Sequence, residues 1–279
     1  MELFNYLRAA SALVQNIDPV VFLGPLAYIA FSAFLMVYWH YRRRLAAIVI
    51  FLSAVAYFAA IGFKVLLDSF VLGGLESTFG TQSVPTALYF GLQTSFFEVG
   101  LAYLVARVAV SRGKIAAGDG EGYGVSLAFW ENGVLVGALT LFNLVITYLL
   151  ISEGLLSQSL YQSVVASEPA VFNPPLPLLL PISLGILERF SSFLVHFSWG
   201  YLCVLAACLH KRNYLVLAFP MGLIDALTPF AGDVQLWVFE MAVFLVSLGA
   251  FAAAWRITRD DRRNGYAKEL TPGEPIGVA

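Results

Sequence analysis

A stretch of about 20 apolar residues can cross lipid only as a helix, because a bilayer offers its backbone no other hydrogen-bonding partner. The 279-residue chain carries such runs about seven times, at roughly 18–39, 46–67, 84–107, 125–151, 178–208, 213–229 and 234–256. They predict an all-α, polytopic membrane bundle: one transmembrane domain over 1–257, then a polar, cytoplasmic, disordered tail over 258–279. Composition agrees, since 59% of the residues are apolar and only 12% charged, about half the charge of a soluble domain. No soluble core of this length buries so much apolar side chain. The lipid bilayer is therefore the expected partner and the cell membrane the expected location. The net charge of −2 by itself says nothing about nucleic acid, and no nucleic-acid partner is expected.

Charge placement sets the orientation, because basic residues resist translocation. Of the 16 Lys and Arg residues, 13 fall on one face: Arg42–Arg44, Arg107, Arg112, Lys114, Lys211, Arg212 and the five from Arg256 to Lys268. The other face receives only Arg8, and the stretches 68–83 and 152–176 hold no basic residue. An odd number of spans with the N-terminus outside and the C-terminus inside satisfies this asymmetry. Leu156, Leu160 and Val164 recur at helical spacing and predict a short helix lying on the outer surface. The fifth run follows Asn173-Pro174-Pro175-Leu176-Pro177, with Pro181 expected in its first turn. Cys203 and Cys208 share one apolar run and read as small core hydrophobes. Residues Met1–Asn16 carry no cleavage pattern, so no signal peptide is expected.

Ionisable residues inside spans need a reason, since each costs about 2.5–3.5 kcal/mol at mid-bilayer. Glu98, Glu131, Glu188, Arg189, His196, Asp225 and Glu240 all fall inside runs. At about 1.5 Å per residue from each cytoplasmic end, Glu131 lies ~10 Å deep, Glu98 ~14 Å, Asp225 ~18 Å and His196 ~21 Å. Four spans thus deliver ionisable groups to one level of the membrane. Arg189, Ser192 and His196 share one helical stripe, which faces protein. Pro220 frees a carbonyl and bends the sixth span just before Asp225. Four residues have blander readings. Lys64 is expected to snorkel outward, Glu240 to reach an interface or a polar neighbour, and Glu188 with Arg189 to form a structural pair.

The ordered motifs Phe96-Phe97-Glu98 with Tyr103, Gly124 with Glu131-Asn132, Glu188-Arg189 with His196, and Asp225-Ala226 carry a family resemblance. Over residues 84–230 the chain resembles the YhfC family of glutamic-type intramembrane proteases, relatives of PrsW and the type II CAAX prenyl proteases. The non-catalytic anterior-pharynx-defective subunit of γ-secretase belongs to the same superfamily. The resemblance implies seven spans with the N-terminus outside, and catalytic roles for Glu98, His196, Glu131 and Asp225. Tyr103, Glu188 and Arg189 would support them. The chain departs from the family pattern at Val99, Ala102, Leu127, Gly200 and Met221, where the family carries polar residues.

Peptide hydrolysis needs a base, a placed water and charge stabilisation. Glu98 is the expected base and His196 the group that positions water; Glu131 and Asp225 hold His196 or share a proton with Glu98. Tyr103 is expected to hydrogen-bond across the cavity, and Arg189 to balance an acid. A membrane-embedded peptide is the implied substrate. A catalytically silent scaffold and a transporter or channel remain alternatives; oligomeric state is not legible. No cofactor is expected, with zinc left open, because only one histidine reaches the cluster. The orientation is directly testable. A cysteine placed in 152–176 should react with an impermeant maleimide on intact cells, and one beside Arg42 only after permeabilisation. The reverse pattern would overturn the orientation.

Overall fold

The computed structural model describes residues 17–43, 45–167, 172 and 175–259. Among them every regular element is helical. Seven helices are long and apolar enough to span a membrane: Pro19–Arg42, Ala47–Phe79, Val84–Ser111, Ala117–Ser152, Pro175–Leu209, Arg212–Phe230 and Leu236–Ile257, here called spans one to seven. The protein is thus a multi-pass membrane protein. With seven spans in series, the connections after spans one, three and five share one end of the bundle. Arg112, Lys114 and Lys211 lie in them, so the basic asymmetry read from the sequence coincides with the connectivity. The readings for residues 1–16, Arg44 and the tail beyond Arg259 lie outside the described residues.

Two elements differ from the sequence expectation. Span two runs to Phe79, twelve residues past the expected end, so most of the segment taken as a loop is helix. Lys64 therefore sits about 25 Å from one end of its helix and about 22 Å from the other. Span five begins at Pro175, so Pro175 and Pro177 occupy its first turn and Pro181 lies inside the helix. The short helix implied by Leu156, Leu160 and Val164 is present, as Gln158–Ser167.

Span five is the axis of the bundle. Its most apolar 18-residue stretch is 83% buried, against 11% in spans four and seven. Every residue from Phe193 to Ala207 is buried, including Trp199, Tyr201 and Leu202 in the main core. Span four reaches this axis through glycine. A Cβ on Gly200 would lie 2.7 Å from the Gly124 Cα and 2.8 Å from a Leu127 methyl group. Two positions that depart from the family pattern thus fit one another: Leu127 fills the room that a glycine at 200 leaves. Met221 and Ala102, at two other departures, are likewise buried core residues.

Span six is α-helical only from Arg212 to Ala218, then continues as a 3₁₀ helix from Phe219 to Phe230. A 3₁₀ run of twelve residues is uncommonly long, and Pro220, which cannot donate to the α ladder, stands at its start. This segment packs on span three, where a Cβ on Gly222 would meet the Ser95 Cα at 2.7 Å. Asp225 is carried to span three by that contact. The Gly124–Gly200 crossing gives a stability test. Gly200→Val should force spans four and five apart and lower stability by about 1–3 kcal/mol, read as earlier thermal unfolding in detergent. An unchanged melting profile would show that the crossing tolerates a side chain.

Candidate intramembrane site

The carboxylates of the centre stand on irregular helix. Span three widens to a π-helix over Ser95–Val99, which contains Glu98, and span four does so over Trp130–Ala138, which contains Glu131 and Asn132. Asp225 stands on the 3₁₀ segment of span six. Such interruptions release backbone groups and redirect side chains, and π segments recur at functional sites. Arg189 and His196, by contrast, stand on the unbroken α-helix of span five.

His196 lies at the centre. Its Nδ1 is 3.0 Å from the Ser192 carbonyl oxygen and 3.3 Å from the Ser192 Oγ. A carbonyl only accepts, so Nδ1 carries the proton and donates it there. Nε2 then faces two carboxylate oxygens, Glu98 Oε2 at 3.1 Å and Glu131 Oε2 at 2.5 Å. The Glu131 oxygen is buried and, despite this closeness, lacks a hydrogen bond of acceptable geometry. A lone pair aimed at two carboxylates is repulsive, so this junction requires positive charge: a proton on Nε2 or a metal ion. Trp199 covers the imidazole, with ring centroids 4.2 Å apart.

Two cations flank the histidine. The Arg189 guanidinium donates to Glu131 Oε1 at 3.4 Å and Asn132 Oδ1 at 3.3 Å, and pairs with Glu188. On the other side, Lys64 Nζ donates to Glu98 Oε1 at 2.6 Å and Thr94 Oγ1 at 2.8 Å, and lies 3.5 Å from Asp225 Oδ2. Thr94 in turn donates to Asp225 Oδ2 at 2.5 Å. Lys64 therefore turns inward, correcting the outward reading; mid-helix, its best partners are the buried acids. A cavity of about 110 Å³ opens beside the cluster, lined in part by Glu131, Glu188, Arg189, Ser192, His196 and Asp225. It has room for a few waters.

The structure thus brings Glu98, Glu131 and His196 into direct contact, with Arg189 and Glu188 beside them. Asp225 faces the same cavity, but it contacts Thr94 and Lys64 rather than His196. Tyr103 is not part of the cluster; it packs against the core, and no hydrogen bond to it occurs among the described residues. Five residues are about 500° of α-helix, so Tyr103 and Glu98 point to different faces. Glu240 is buried, 5% exposed, and its Oε2 has no hydrogen-bond partner among the described residues. Cys203 is a buried core residue, as read. Sequence reasoning missed Thr94, and missed the inward role of Lys64, because the expected end of span two at residue 67 put the ammonium within a turn of a helix end.

The donor set suits a divalent ion. Glu98, Glu131 and His196 each offer one ligand atom, all within 4.8 Å of one another. The Nδ1–H bond to a carbonyl is the outer-shell partner that metal-ligating histidines commonly have, and Glu131 Oε2 is left without a donor. One imidazole and two carboxylates meet the three-ligand count of a catalytic site.

Fold and site together define a class: a multi-pass helical protein whose buried carboxylate–histidine centre lies inside the bundle of spanning helices. The chain belongs to the YhfC intramembrane metalloprotease family, whose model matches residues 26–232. No curated protein and no solved structure matches it. The Arg189 pairs give a test of the centre's electrostatics. Arg189→Ala leaves Glu131 without its cation in a buried setting, and should cost about 3–5 kcal/mol. Thermal unfolding would read this, and no loss at all would show that the pair carries little of the fold.

Proposed function

We propose that this protein is an intramembrane endopeptidase that hydrolyses a membrane-embedded peptide at the Glu98–His196–Glu131 centre, with a divalent ion held by those three residues. The observation that carries the reading is the His196 Nε2 set between two carboxylate oxygens with its Nδ1 fixed as a donor. The family description supports it. A bound ion supplies Lewis acidity and lowers the pKa of a coordinated water. The chain's own residues do the rest. Ser192 fixes the imidazole tautomer, and Trp199 shields the ring from lipid. Asp225 meets Thr94 and Lys64 through Oδ2. Its place on the cavity wall suits it to accept the proton released from water. Arg189 holds Glu131 and keeps positive charge near the scissile carbonyl.

A second reading is the metal-free, glutamic one, in which Glu98 is the base and a protonated His196 stabilises the developing oxyanion. The Lys64 ammonium on Glu98 favours it, because the site then already contains cations. One experiment separates the two. Metal analysis of the purified chain should find about one divalent ion per chain, lost in His196→Ala. Cleavage of co-expressed membrane reporters should cease in Glu98→Gln, Glu131→Gln and His196→Ala alike. Full activity in a metal-free preparation would sustain the glutamic reading instead. Undiminished cleavage by His196→Ala would remove this centre from the reaction altogether.

A further inference from the structure

Lys64 belongs to none of the motifs that mark the family resemblance, and it comes from span two, which supplies no other member of the cluster. Its ammonium nevertheless makes the shortest cation contact to Glu98, at 2.6 Å to Oε1. It also lies 3.5 Å from Asp225, and its side chain is only 18% exposed. Its position is fixed from the backbone as well, since the Gln93 side-chain amide donates to the Lys64 carbonyl at 3.1 Å and to Asp68 Oδ1 at 2.7 Å. Lys64 grips Glu98 by Oε1, while Oε2 of the same carboxylate faces His196. One oxygen thus goes to the lysine and the other to the centre.

Charge then decides how the centre treats a metal. With a neutral imidazole, four carboxylates (Glu98, Glu131, Glu188, Asp225) and two cations (Lys64, Arg189) leave a formal charge of −2. Without Lys64 it would be −3. An ammonium bound to the carboxylate that must ligate a divalent ion repels that ion across a low-dielectric gap. It also withdraws electron density from the ligand oxygen.

We propose that Lys64 is a positioning residue and built-in counter-ion: it orients Glu98 towards His196 and holds the divalent-metal affinity of the centre down. The proposal rests on the metal-binding reading of the centre. It makes metal occupancy a property of span two as well as of the ligands, with the ammonium keeping the carboxylates neutralised when no ion is bound.

The test is a cobalt(II) titration of the full-length chain in detergent, after stripping with a chelator, followed by visible absorption. Lys64→Met should bind cobalt at least tenfold more tightly than the wild type, and Lys64→Arg within about threefold of it, because the charge is kept. Lys64→Gln, which retains a hydrogen-bond donor for Glu98, takes the place of the methionine variant if that chain does not fold. Unchanged or weaker binding by the neutral variants overturns the proposal, as does equal tightening by Lys64→Arg, which would make side-chain shape the cause. Absence of cobalt binding in every variant also overturns it. No substrate is needed, so a wild-type protein that cleaves nothing would sink the protease reading and leave this result standing.

Discussion

An imidazole nitrogen facing two carboxylates inside a bilayer is stable only with positive charge beside it, and the arrangement of this protein follows from that need. Water cannot screen the charges there, and an unpaired buried ion costs several kcal/mol. Arg189 answers Glu131 and Glu188, and Lys64 answers Glu98 and Asp225. Spans two to six are thereby tied into one network around His196. His196 Nε2 and Glu131 Oε2 stay 2.5 Å apart without a hydrogen bond of acceptable geometry, so this junction is where the network still needs positive charge.

The helices are irregular where this network needs them to be. Glu98 and Glu131 stand on π segments and Asp225 on a 3₁₀ segment, whereas span five stays regular because it is the axis the others pack on. Irregular backbone is tolerated at membrane depth when it is buried in protein or lines a cavity, and the segments of Glu131 and Asp225 line the 110 Å³ cavity. The departures from the family pattern have a packing logic too. Leu127 and Gly200 meet at the span four–span five crossing, and Ala102 and Met221 are in the core.

The presence of seven spans, the one-sided basic residues and the shared depth of Glu98, Glu131 and His196 were legible in the sequence. Hydropathy, charge and a fixed rise per residue act locally and need no partner. The family resemblance was legible for the same reason, since its motifs are short runs at fixed spacing. The end of span two was not, because Gly73, Gly74 and Glu76 weaken the apolar signal while the backbone remains helical to Phe79. That misplaced end is why Lys64 read as a residue near the surface.

Which groups touch was decided by tertiary structure alone. The sequence reading had Asp225 hold His196 or share a proton with Glu98, and had Tyr103 hydrogen-bond across the cavity. The fold gives Asp225 to Thr94 and Lys64, and packs Tyr103 into the core. Periodicity fixes a residue's height and face on an ideal helix, but a π turn or a 3₁₀ stretch shifts both. The sequence by itself therefore determined that ionisable groups meet inside the membrane, because their cost in lipid demands it. Only the packed helices decided how they pair, because pairing depends on distances of a few ångströms between spans far apart in the chain.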